Sequence, residues 1–382
     1  MKHSRSSQTG LFHPARFFTN ASRCFLVAAS LALIVEPVAA AARFIVSGSL
    51  TSARSSHTAT LLLDGRVLVA GGTVFPHALH SAEIYDPATK TWSATGSMLF
   101  SRTNQIAVLL PNGKVLVATG ATSPAGYLSA ELYDPATGVW SATGNMMVDR
   151  RHAAATLLAD GRVLVAGGYD RTGTGLTSAE IYDPATASWS FTDKLNRSRY
   201  DFTLTLLSSG DVLATGGSQV YSETELYHTV TATWTLTGKL NTALSLSVTA
   251  LLVDGTVLNA GGFSQSNTSS AESEVYDEQT GDWTLTDSLA IGRHFHAGAL
   301  LPNGQVLVTG GQTLTTCGIT SAELFQSSTK TWVSAGNMRY RRELHTATLL
   351  LDGSVLIAGG IYLDENVSRQ RSVLPTEIYT SR

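Results

Sequence analysis

The sequence holds two cysteines in 382 residues, Cys24 and Cys317. So few exclude a disulfide framework, and stability has to come from packing. Charge is scarce as well: Asp, Glu, Lys and Arg make up 14% of the chain, with 26 basic residues against 29 acidic ones. No basic excess exists to meet a phosphate backbone, which argues against nucleic acid as a partner. Long apolar runs are missing except at Cys24–Val35. That run has twelve residues, too few for a comfortable membrane span, which takes about 20.

What surrounds the run gives it a meaning. Lys2, Arg5, Arg16 and Arg23 lie at or before its start, and Pro37 and the small-residue stretch VAAAA follow it. A basic start, a short apolar segment and small residues are the order of a secretory signal peptide, here residues 1–40, with cleavage expected after Ala40 or Ala41. The expected location is therefore secreted or periplasmic. An uncleaved anchor is the alternative, and the length disfavours it. Loss of residues 1–40 removes four basic residues and one acidic residue, leaving a charge near −6. Cys317 would then stand alone, as a half-buried loop thiol or a reactive cysteine. No charged sequence neighbour lowers its pKa, which favours the first.

The rest of the chain is a repeat. Glycine pairs end at Gly72, Gly168, Gly217, Gly262, Gly311 and Gly360, with Gly120 filling the remaining slot, at spacings of 48, 48, 49, 45, 49 and 49. Seven units follow from this. Each has an apolar run, a turn such as Asp64-Gly65, a second run such as VLVAGG, a variable loop, and a stretch such as SAEIYDPATKTW. Asp-Gly and Asn-Gly between apolar runs predict two-residue hairpins with positive φ at both central residues. The second run, short and continuously apolar, predicts an inner strand buried on both faces. Asp86-Pro87 predicts a turn before a fourth strand through Trp92. Four antiparallel strands per unit of about 48 residues make a propeller blade. The fold class is therefore all-β, a seven-bladed β-propeller over residues 41–382. Six tryptophans serve seven units, and the last unit ends at EIYTSR, one strand short. FIVSGSL aligns with WSATGSM, so Phe44 takes the tryptophan slot and the N-terminal strand closes the last blade.

These residues resemble the kelch repeat: Arg-x-x-His near the first strand, the Gly-Gly pair, then Glu-x-Tyr-Asp, Thr and Trp. The resemblance runs over residues 44–379 and is similar to that of bacterial kelch proteins and the central domain of galactose oxidase. It implies a propeller and leaves the activity open, because kelch propellers serve as adaptors, scaffolds and occasional enzymes.

Three constellations stand out. Arginine enters six units as Arg54, Arg102, Arg150, Arg199, Arg293 and Arg342, with Leu244 in the fifth, and glutamate recurs in all seven as Glu83, Glu131, Glu180, Glu225, Glu274, Glu323 and Glu377. One reading is an electropositive ring for an anionic sugar such as a uronic or sialic acid. The other, preferred, is an Arg–Glu pair tying strands together, in which case Glu274 finds another partner. His57, His296 and His345 share one repeat position, with His152 and His294 nearby. Three imidazoles can hold zinc or copper, but this histidine belongs to the kelch pattern. A satisfied histidine is preferred, and no metal site is expected. Ten loop aromatics (Phe75, Phe100, Tyr127, Tyr169, Tyr200, Tyr221, Phe263, Phe295, Tyr340 and Tyr362) are not required by the repeat, and their loops are expected on one face. Aromatics on variable loops over a rigid scaffold suit sugar rings or a partner surface. The longest such loop, Ile361–Leu374, carries both charge signs.

The expectation is an exported binding module, monomeric, that takes a glycan or a protein on this loop face. Candidate contacts are Arg102, Arg150, Arg199, Arg293, Arg342, Tyr169, Tyr200, Tyr340 and Tyr362. Two enzymatic alternatives follow from resemblance. A galactose-oxidase-like copper oxidoreductase would need ligands from a domain after the propeller, which this sequence does not carry. A tyrosine crosslinked to cysteine would also be needed, and Cys317 has no tyrosine close in sequence. A periplasmic sialic-acid mutarotase would use an arginine such as Arg199 or Arg293 with a carboxylate for proton transfer, but mutarotases of this type have six blades. No cofactor is expected.

Overall fold

The computed structural model describes residues 43–217, 220–364 and 369–381. The expected signal segment, residues 1–40, lies outside the described residues. Seven four-stranded antiparallel sheets follow one another along the chain. The first blade is Thr58–Leu61, Val67–Ala70, Ala82–Asp86 and Thr91–Ala94, and five more repeat its order. The seventh is Thr346–Leu349, Val355–Ala358 and Pro375–Thr380, completed by Arg43–Ser49. Phe44 pairs with Tyr379 across that last seam.

The second strand of each blade is buried along its whole length, as in Val67–Ala70 and Val163–Ala166. Its two faces serve two interfaces, because side chains alternate along a strand. Val115 and Val117 meet Leu68 and Ala70 of the preceding blade, while Leu116 and Ala118 meet Val163 and Val165 of the next. A continuous apolar run is thus the signature of a strand sandwiched between two neighbours.

The hairpin turn differs from the sequence expectation. Gly65 is left-handed at φ 85°, but Asp64 is not. Gly65 N–H donates to the carbonyl of Leu62, and Leu62 N–H to that of Arg66. The loop is therefore three residues, Leu63, Asp64 and Gly65, with only the last in the left-handed region. Leu63, read as part of the strand, is 70% exposed at the turn. The Asp64 carboxylate instead accepts the N–H of Arg66 at 3.0 Å.

Candidate functional site

Each blade begins with the segment that held the recurrent arginine. All six arginines have 0% exposure. Arg150 is typical: its guanidinium donates to the carbonyls of Gly167 and Ser178 at 3.0 and 2.7 Å and to Glu180 at 2.9 Å. The Glu180 carboxylate also accepts the N–H groups of Met147 and Val148, so both charges are enclosed by partners. The other five pairs span 2.6–3.2 Å. Burial lowers the pKa of each of these arginines, and its glutamate opposes that shift. Arg102, Arg150, Arg199, Arg293 and Arg342 therefore leave the set of ligand contacts. A guanidinium without exposed surface, already bonded to three acceptors, has nothing to offer a ligand on the loop face. In the fifth blade Glu274 accepts the N–H of Asn241 instead, at 2.9 Å.

The histidines are also turned to structure. His57, His296 and His345 reach into the preceding blade, where Nε2 meets Thr346 Oγ1 at 3.2 Å, the Ala260 carbonyl at 3.1 Å and Thr309 Oγ1 at 2.9 Å. Gln105 makes the same link to Ala70 in its blade. Burial pushes His57 and His296 down to about 3 and His345 well below its ordinary value, so all three are neutral latches between blades.

Between arginine and latch lies a repeat position of which sequence reading singled out only His152 and Phe295. It is Ser56, Asn104, His152, Asp201, Leu246, Phe295 and Leu344, and all seven have φ between 49° and 59°. Backbone hydrogen bonds join them from blade to blade: Asn104 N–H to Ser56, Ser56 N–H to Leu344, Leu344 N–H to Phe295, Leu246 N–H to Asp201, and Asp201 N–H to His152, all at 2.9–3.1 Å. These five links make two arcs of a ring around the propeller axis, Phe295–Leu344–Ser56–Asn104 and His152–Asp201–Leu246. Two cavities of about 270 and 250 Å³ open on it and share Ser56, His57, Asp201 and Phe202. The ring is split chemically. Blades one to four supply Ser, Asn, His and Asp, and blades five to seven supply Leu, Phe and Leu.

On the polar arc, Nδ1 of His152 is hydrogen-bonded to the Asp201 carboxylate, and the two side chains are 21% and 22% exposed. Tyr169 stacks on His152 at 5.1 Å, and Tyr200 meets Tyr169 edge-on at 5.7 Å. Entry segments and second-to-third-strand loops do meet at one end of their blades, as in the bridges Arg151–Tyr169 and Glu343–Ile361. Tyr169 and Tyr200 are thus brought together beside the ring. Tyr340 lies against the buried Arg342 guanidinium at 5.7 Å. Tyr362 sits in a hairpin, Ile361–Asp364 with Arg369–Ser372, opposite Arg371. Neither is among the ring contacts of Tyr169 and Tyr200.

Comparison with known proteins agrees with this architecture. The kelch motif matches residues 54–99 and 150–196, which are the first and third repeats. No curated protein matches the chain. Among solved structures, one that matches is a fungal alcohol oxidase of the AA5 family in complex with copper. It has a TM-score of 0.69 and 16% identity, over 88% of this chain and 75% of that one. As many as 899 solved chains match, so the likeness selects a fold and not an activity. Among the described residues no group of three His, Cys, Asp or Glu side chains is placed to share an ion, and the three latch histidines spend Nε2 on neighbouring blades. Burial raises the Cys317 thiol, which keeps it protonated.

Proposed function

We propose that this kelch-motif propeller is an exported binding module that takes a neutral carbohydrate over its central mouth. The split ring carries the reading. A pyranose presents hydroxyls at its edge and C–H groups on its faces, and the ring presents hydrogen-bonding side chains on one arc and Leu246, Phe295 and Leu344 on the other. Tyr169 and Tyr200 extend an aromatic wall from the polar side, a common device for seating an amphipathic ring. Burial of the six recurrent arginines removes them as partners for an acidic sugar. Export rests on the order of residues 1–40 and is part of the same reading.

The test is a glycan array probed with the mature protein. Saturable binding of neutral glycans is expected, reduced at least tenfold by Tyr169→Ala and by Asp201→Asn. Absence of binding by the folded protein, or binding that both variants leave intact, overturns the proposal.

A second reading is favoured by the His152–Asp201 pair. With Nδ1 held by the carboxylate, Nε2 is oriented for proton transfer at a sugar anomeric centre. Catalysed anomer exchange abolished by His152→Gln would establish it, and exchange at the uncatalysed rate would dismiss it.

A further inference from the structure

The fifth blade breaks the repeat at two positions on one socket, Leu244 and Asn259. In the other six blades a guanidinium meets the same three acceptors. These are the carbonyl seventeen residues after the arginine, the carbonyl two residues before the glutamate, and the glutamate carboxylate. In the fifth blade these acceptors are Gly261, Glu272 and Glu274, and Leu244 stands in place of the arginine. Leucine ends where the guanidinium would begin.

The acceptors are underused. The carboxylate of Glu274 is 1% exposed, and its hydrogen bonds are to the single N–H of Asn241. With no cation beside it, burial pushes Glu274 up to about 7. Directly across the strand pair from Glu274 is Asn259, on the same face because opposed residues share a side of the sheet. Four other blades carry valine there. Asn259 has 0% exposure, and both its amide oxygen and its amide nitrogen lack a hydrogen-bond partner. Oε2 of Glu272 is likewise buried without one. A fully buried amide with no partner is costly unless something fills it.

One of the three acceptors, Glu274, is reachable from outside. A groove of about 590 Å³ between the fourth and fifth blades opens onto Glu274 and Asn241. Lys239 at its rim is exposed and makes no ion pair among the described residues.

We infer that this vacated socket between blades four and five binds an alkylguanidinium group from outside, in the position that an arginine of the chain itself fills in every other blade. A planar fork of N–H donors matches two carbonyls and a carboxylate, and the Asn259 amide oxygen adds a further acceptor. A bare metal ion is a poorer fit, since no three His, Cys, Asp or Glu side chains converge there among the described residues. The socket is independent of the central mouth, and the two stand or fall separately.

Titration of the mature protein with methylguanidinium, followed by calorimetry at constant ionic strength, tests this, with methylammonium as comparator. Saturable binding of methylguanidinium is expected, at least tenfold tighter than methylammonium. Leu244→Arg restores the residue of the other blades, so it folds, melts higher than the parent and loses the response. Asn259→Val, also a residue the repeat accepts, weakens binding at least threefold. Equal binding of the two cations, no saturable binding by the parent, or unchanged binding in Leu244→Arg would each overturn the inference.

Discussion

Phe44 packs on Tyr379 with ring centroids 5.1 Å apart, the distance at which Trp92 packs on Tyr85 in the first blade. A residue near the start of the propeller and one near its end thus reproduce a contact that is local everywhere else. This seam closes the ring and removes two open sheet edges. Phe44→Ala is therefore expected to cost about 2–3 kcal/mol, measured by urea unfolding. Phe44→Trp is expected to match the parent or exceed it. A loss below about 0.5 kcal/mol for the alanine variant would place the closure elsewhere.

The Arg150–Glu180 pair is fully buried at 2.9 Å, and its desolvation makes it sensitive to the loss of one partner. Glu180→Ala leaves an unpaired buried guanidinium and is expected to destabilise by about 3–5 kcal/mol. Arg150→Met combined with Glu180→Leu is expected to lose far less than the two single variants summed. Additive losses in the double-mutant cycle would contradict a pair acting as a unit.

The architecture was legible because it is written seven times. Glycine spacing set the blade length, and the missing tryptophan pointed to Phe44. The hairpin turn was misjudged because Asp64-Gly65 looks alike in two-residue and three-residue loops. Only the position of Leu63 distinguishes them, and an apolar residue there reads as strand. The orientation of the arginines was open for another reason: a strand entry has no period that assigns a face. The ring was least legible. Ser56 and Leu344 are 288 residues apart and meet only when the last blade returns to the first. The usable signal was the second variable residue of Arg-x-x-His, whose chemistry changes from polar to apolar along the chain.

Buried titratable groups set an acid limit. His57 and His296 are lowered to about 3, His294 to about 4 and His345 well below its ordinary value, all chiefly by burial. Below pH 6.5 the unfolded chain takes up these protons and the folded one does not, so stability falls with falling pH. Glu274 and Glu343 act oppositely. Both are raised to about 7, so between pH 7 and 4.5 the folded state holds the extra protons and gains as pH falls. Four histidines outweigh two carboxyls. Stability is expected to peak at about pH 7 and to decline toward pH 4.5 with a net uptake of about two protons on unfolding. A melting temperature that keeps rising toward pH 4.5 would show that the histidines are not buried neutral.

The apolar arc holds the last prediction. Leu246 and Leu344 adopt φ of 59° and 54°, a region that costs an ordinary L-residue roughly 1–2 kcal/mol and suits Asn or Gly better. Other members of the ring, Asn104 and Asp201, are residue types that tolerate it. Leucines held there against backbone preference point to a use for their side chains. Leu246→Asn trades half-buried apolar surface for relief of the backbone, so its melting temperature is expected to stay within about 2 °C of the parent or to rise. Binding of neutral glycans is expected to fall at least tenfold, because the sugar face loses its apolar support. A variant that loses stability and keeps its ligand would mean that the leucine serves packing, and that recognition belongs to the polar arc alone.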